Sequence, residues 1–294
     1  MDARTRPLIV TLGDLIVDVV AAAAGPLAYG SDRAGSVALR QGGSAANTAR
    51  WIVASGGQAV FIGAVGRDEW ARRLAASLTR AGVVVHAVGK AAPTARIVAI
   101  VEPGGERTFV TDRGAADLLV ASDLRPRWFA GAVGLHLPAY SLYNRPLASA
   151  ALRAVQLARA AGAMVSVDLA SRQPILDLGP GEAWSRIASV TPDVLFANAS
   201  EAEAILEGRT ERALLDLAAI VVVKRGGTGC RVLARPVSPR AIRSPGDVGR
   251  ASLVLDVPTA PVQVRDTTGA GDAFAAGFLV RLLAREPGTR HTRR

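Results

Sequence analysis

The sequence predicts an α/β fold: a doubly wound, mostly parallel sheet flanked by helices, with a small second β sheet. Two observations carry this. Short β-branched runs alternate with Ala/Leu/Arg-rich helical stretches along the chain of 294 residues, and strands separated by helices return to one parallel sheet. Near the N-terminus three further strands interrupt that alternation and follow one another through turns.

The runs "PLIVTL" (7–12), "AVFIG" (59–63), "AVGLHL" (132–137), "AMVSVD" (163–168), "DVLFAN" (193–198) and "AIVVVK" (219–224) read as buried strands. Segments 44–55, 68–80, 143–161 and 199–207 read as helices, the last opening with Ser200 beside acidic first-turn positions. "VALRQ" (37–41), "ARIVAIVE" (95–102) and "ERTFVTD" (106–112) are the interrupting strands, the last two joined as a hairpin through Gly104 and Gly105. They place a small β subdomain within the first 115 residues. Pro236 to Gly249 reads as a surface loop, and "APVQV" (260–264) as a strand leading through "DTTGAGD" into a helix over 273–284 with apolar positions Phe274, Phe278 and Leu282.

Composition narrows the function. The formal charge of +10 comes almost wholly from arginine, since Lys90 and Lys224 are the only lysines, and it is scattered among acids rather than interleaved with aromatics. A nucleic-acid partner is therefore not expected. Asp14 and Asp18 interrupt the N-terminal apolar stretch and argue against a secretory leader, and no segment approaches the ~20 apolar residues of a membrane span. The single cysteine, Cys230, excludes an intrachain disulfide. Together these features predict a cytoplasmic protein without a membrane partner. His86 and His136 read as structural, because no nucleophile or metal cluster accompanies them.

The loop before the last helix carries chemistry. Unpaired N–H groups and the positive dipole end of a helix N-terminus form an anion site, and Gly269, Ala270 and Gly271 let the main chain approach the anion closely. An aspartate there would repel a phosphate unless it accepts a proton from an attacking hydroxyl, which is the task Asp272 suits. A tight turn with an N-cap is the plainer alternative. No GxxxxGK[ST] occurs, so a Walker-type nucleotide site is excluded.

The whole phrase D-T-T-G-A-G-D-A-F-x-x-G-F-L resembles the second signature of the ribokinase-like (PfkB) carbohydrate kinases, and "GGSAANTA" (42–49) resembles the first. "GDLIVD" (13–18), "NASE" (198–201) and "KRGGTG" (224–229) resemble further elements of that family, in family order, over roughly residues 8–283. The resemblance implies a ribokinase-like kinase domain over 1–286, a β lid from segments near 15–41 and 94–113, and a basic disordered tail at 287–294. It implies transfer of the γ-phosphate of ATP to a hydroxymethyl group of a sugar or nucleoside.

Site roles follow from the same resemblance. Asp272 is the catalytic base, and Gly269, Ala270 and Gly271 form the anion hole. Asp18, Gly42, Gly43 and Asn47 bind the acceptor, while Asn198, Lys224, Gly226 and Gly229 bind nucleotide. Glu201 positions Mg²⁺ through water, and Asp266 with Thr268 surrounds a monovalent cation, K⁺, in many relatives. "VDLASRQP" (167–174) lies where relatives carry substrate- and phosphate-proximal residues. The chain departs from its relatives where the last helix runs into "REPGTRHTRR", whereas they continue with segments that complete the adenine pocket. That departure predicts an open adenine pocket or one covered by a partner subunit, as in a homodimer, and admits a catalytically impaired sugar-binding homologue as the alternative function.

Overall fold

The computed structural model describes residues 6–102, 107–235, 253–260 and 267–284. The first half contains β1 (Leu8–Leu12), β2 (Ile16–Ala23), β3 (Gly35–Gly42), α1 (Ser44–Ala54), β4 (Gln58–Val65), α2 (Glu69–Arg80), β5 (Val84–Gly89), β6 (Arg96–Val101) and β7 (Arg107–Asp112). It continues with β8 (Gly134–Pro138), α3 (Tyr140–Tyr143), α4 (Leu147–Ala160), β9 (Met164–Asp168), α5 (Arg172–Leu178) and α6 (Pro180–Ala188). The remainder is β10 (Val194–Asn198), α7 (Ala199–Leu206), β11 (Ile220–Lys224), β12 (Cys230–Ala234), β13 (Leu253–Val257) and α8 (Ala270–Leu283).

Among the described residues these strands form a nine-stranded sheet, β13-β12-β11-β10-β9-β8-β1-β4-β5, and a four-stranded one, β3-β2-β6-β7. The large sheet is parallel from β5 to β11, and β12 and β13 add an antiparallel edge. Side chains alternate between its faces at the period of a strand. On β10, Leu195 and Ala197 join the core beneath α4 to α7, whereas Val194 and Phe196 join the opposite core with α1, α2 and α8. Both faces being covered explains why the strands read as continuous apolar runs. Phe196 is fully buried and meets Phe274 and Phe278 edge-on at 6.5 and 5.4 Å, docking α8 on the sheet.

Three expectations need correction. The single helix over 143–161 is broken at Asn144–Pro146 into α3 and α4, because proline lacks an N–H and disfavours helical geometry in the residue before it. α7 is capped by Asn198, not opened by Ser200; the Ser200 hydroxyl instead donates to Asn198 Oδ1 at 2.9 Å. The stretch 13–18, which by resemblance matches the family's N-terminal strand, is not one strand: β1 ends at Leu12, the chain crosses over at Gly13, and Asp18 stands within β2 of the small sheet. The hairpin turn at 103–106, the loop 236–249, positions 261–264 of the expected strand 260–264, Asp266 and the tail 287–294 lie outside the described residues. No described helix is long and apolar enough to cross a membrane.

Candidate active site

The parallel strands end together at one edge of the sheet, and the helices that follow them start there. Asp168 closes β9, Asn198 closes β10 and Lys224 closes β11. The first turns of α1 and α8 face one another across the same edge.

α8 begins after Gly269, whose φ of 72° lies in the left-handed region, and it has no side-chain cap. Ala270 N–H donates to Thr267 O at 3.1 Å inside the turn. The N–H groups of Gly271 and Asp272 meet no protein acceptor among the described residues. The Gly271 and Asp272 N–H groups therefore remain to face an anion.

The Asp272 carboxyl turns away from its own helix toward α1. It accepts from Ser44 Oγ at 2.7 Å through Oδ1 and from Asn47 Nδ2 at 3.1 Å through Oδ2. Burial pushes it up to about 7, assisted by the negative field of Asp168 and opposed by these two donors. It is thus a carboxyl poised to exchange a proton near neutrality.

Lys224 lies on the other side of the turn. Its ammonium donates to Asp168 Oδ2 at 2.6 Å, and a Cβ added at Gly271 would come within 3.2 Å of its Nζ. Glycine at 271 thus lets the ammonium approach the first turn of α8. Burial disfavours the lysine's charge, but Asp168, with Glu201 and Asp272, outweighs it and the net shift is upward. Asp168 itself also accepts from Ala170 N–H at 3.1 Å.

Beside this pair, Asn198 and Glu201 form a reciprocal cap. Asn198 Nδ2 and N–H donate to Glu201 Oε1 and Oε2 at 2.7 and 2.8 Å, and Glu201 N–H donates back to Asn198 Oδ1 at 2.9 Å. Burial first, then Asp168, raises the Glu201 carboxyl to about 7. Asn198, Lys224 and Gly226 line an open cavity of about 660 Å³ with Ser200, Glu211 and Thr228. Gly229 does not line it: a Cβ there would overlap the Val257 carbonyl of β13, so this glycine serves a close approach of two backbones.

On the α1 side, the Asp18 carboxylate lies against Gly42, where any Cβ would overlap it. Burial and then Asp14 raise Asp18 to about 6, while Arg40 works the other way. Gly43, at φ 99°, brings the chain onto the Asp14 carbonyl and starts α1. The predicted residues Asp18, Gly42, Gly43, Asn47, Asp272, Gly271, Lys224, Glu201 and Asn198 therefore follow one another along a single edge. Thr268 stands in the turn before Gly269, and Asp266 lies outside the described residues.

Sequence reasoning missed Ser44 and Asp14, and named Asp168 only as part of the stretch 167–174. Ser44 is inside a quoted motif, yet nothing local shows that it reaches a residue 228 positions away. Asp168 ends a strand and pairs with Lys224 across 56 positions. Asp14 is buried against Arg113, which donates to it at 3.0 Å and also holds Asp117. His136 was placed as structural: it is buried, bonded to Ser166 Oγ at 3.0 Å, and burial lowers it to about 4. His86 stacks on Trp128 with ring centroids 4.3 Å apart.

The family model "pfkB family carbohydrate kinase" matches residues 6–294. Fructokinase-1 of Oryza sativa subsp. japonica is 33% identical over 295 residues, covering 97% of this chain and 85% of the relative. Among solved structures, fructokinase with bound ATP from Xylella fastidiosa is 27% identical with a TM-score of 0.76, covering 95% of this chain and 82% of that one. Adenosine kinase from Sinorhizobium meliloti shares the fold at 24% identity, with a TM-score of 0.78 over 95% of this chain and 88% of that one. The chain belongs to the PfkB family of carbohydrate kinases.

Proposed function

We propose that this protein transfers the γ-phosphoryl group of ATP to a hydroxymethyl group of a sugar or nucleoside, with Asp272 as the base. The supporting observation is the Asp272 carboxyl, held by Ser44 and Asn47, raised to about 7, and placed beside a helix terminus with free N–H groups. A carboxylate so placed accepts the proton of an acceptor hydroxyl while the adjacent N–H groups face the negative charge of the transferring group.

The residues present suit the nucleotide. The cavity bordered by Asn198, Lys224 and Gly226 opens beside Lys224, and that ammonium, kept charged by Asp168, adds positive charge at the α8 turn. When bound, ATP supplies the phosphoryl group and Mg²⁺ disperses its charge. Glu201 and Asn198 would hold the metal through water, in keeping with the reluctance of Mg²⁺ to shed its hydration shell. Asp18 and Asn47 receive acceptor hydroxyls, a carboxylate accepting and an amide doing both, and the small sheet covers them as a lid. Asp266 and Thr268 take a monovalent cation such as K⁺, which a rate dependent on K⁺ over Na⁺ would support.

Because curated relatives carry the name fructokinase, fructose is the first acceptor to test, followed by ribose and adenosine. ADP release with each acceptor and Mg²⁺·ATP should occur for at least one and be lost in Asp272→Ala. Turnover on none of them, or equal turnover in the variant, removes the reading.

A further inference from the structure

A second cavity, of about 480 Å³, opens beside the first strand of the small sheet's hairpin and away from the residues described above. It is lined by Arg67 and Asp68 after β4, Lys90 to Pro93 after β5, and Arg96 at the start of β6. Three cations and one carboxylate thus share one opening.

The carboxylates near it are already engaged. Asp68 caps α2 by accepting from Ala71 N–H at 2.9 Å, and also accepts from Thr94 N–H at 2.8 Å and Thr94 Oγ at 2.6 Å. Asp123 accepts from Lys90 Nζ at 2.5 Å. Arg96 acts on Asp68 through its field with no hydrogen bond between them, and Arg67 extends over Gly89, where a Cβ would come within 3.6 Å of its stem. Among the described residues neither guanidinium has a hydrogen-bonded acid. Two guanidiniums with all their N–H groups available, and an ammonium with two protons to spare, are left facing one cavity.

We infer that this cavity is an anion site, separate from the kinase site, that takes the phosphate of a small phosphate ester. Guanidinium forks match phosphate oxygens in bidentate pairs, and the two guanidiniums, neither hydrogen-bonded to an acid, present two such forks to a dianion beside the Lys90 ammonium, which is paired with Asp123. The cavity exceeds what a free phosphate ion fills, which favours an ester with a small organic body. Its walls belong to both sheets: Arg67 and Lys90 follow strands of the large sheet, and Arg96 begins a strand of the small one. A ligand seated here bridges the body of the enzyme and the root of the small sheet.

The test is calorimetric titration of the full chain, at matched ionic strength, with inorganic phosphate and with glucose 6-phosphate. It compares wild type with Arg67→Ala/Arg96→Ala and Arg67→Lys/Arg96→Lys. Both arginine side chains are exposed and make no hydrogen bond among the described residues, so the variants should keep the fold, which thermal unfolding in chloride checks. The proposal expects at least tenfold weaker binding of glucose 6-phosphate in the alanine variant, an intermediate loss in the lysine variant, and no loss in Asp272→Ala. Tighter binding of the ester than of the free ion supports the stated class, and the reverse order replaces the ester with free phosphate. Identical isotherms in wild type and the alanine variant overturn the site. No step uses turnover, so this result is independent of the proposed kinase chemistry.

Discussion

Helices α7 and α8 start at the same edge of the sheet with a carboxylate in their third position, and they treat that carboxylate in opposite ways. Glu201 of α7 folds back onto its own N-cap, so that Asn198 and Glu201 satisfy each other. Asp272 of α8 follows a glycine with no capping side chain and reaches across to Ser44 and Asn47 of α1. A closed cap stabilises a helix and consumes its donors. An uncapped one leaves N–H groups for an anion and a carboxylate for proton transfer. Burial raises both acids to about 7, so the pKa alone does not tell them apart; their partners do.

Substitution of the two acids is the strongest way to break this contrast. Asp272→Ala should lower kcat by roughly 10²–10⁴-fold, the range for loss of a general base, while Glu201→Gln, which can still accept one of the two Asn198 donors and whose proposed hold on the metal is only through water, should cost less. Comparable losses in both would erase the distinction. Next in size, Lys224→Met leaves Asp168 as a buried carboxylate without its cation, and should destabilise the fold by about 3 kcal/mol in urea unfolding. An unchanged midpoint would show that Asp168 has another partner.

The pH profile sharpens the comparison further. Activity that needs the Asp272 carboxylate should rise with pH through about 7. The Asn47 amide favours the charged form, so Asn47→Ala should move that rise to higher pH; a shift to lower pH would contradict the assignment. The sign for stability is opposite. A carboxyl with a native pKa raised from 3.8 to about 7 binds more protons folded than unfolded between those values, so its contribution to stability falls as pH rises through that window. Asp272→Asn should therefore raise the melting temperature at pH 8 and leave it nearly unchanged below pH 4, where both states are protonated. The smallest expected effect is that of Asn198→Ala, which removes the α7 cap and should cost ~1 kcal/mol of stability, read from the urea midpoint.

Much of this was legible in the chain itself. The alternation of β-branched runs with helical stretches predicted the sheet because burial on both faces demands apolar residues at every strand position. Glycines at 269 and 271 beside Asp272 announced a close backbone approach, and the structure places Lys224 against the second of them. The error over 143–161 arose because the apolar period continues through Pro146, and the backbone constraint outweighed it. The misplaced cap at Ser200 had a similar origin: both Asn198 and Ser200 suit the position, and only the partner at Glu201 decides between them.

What the sequence by itself determined was therefore the set of chemical groups and the local element in which each sits, since hydrophobic period, capping and turn chemistry act over a few residues. Only the tertiary structure decided that Ser44 would hold Asp272 and that Lys224 would pair with Asp168. It also decided that Gly229 serves a backbone contact rather than the cavity. Those outcomes depend on which strands are neighbours and on how much water their ends exclude. Desolvation, which raises Asp272 far above an ordinary carboxyl, is a property of the assembled edge of the sheet and of no segment within it.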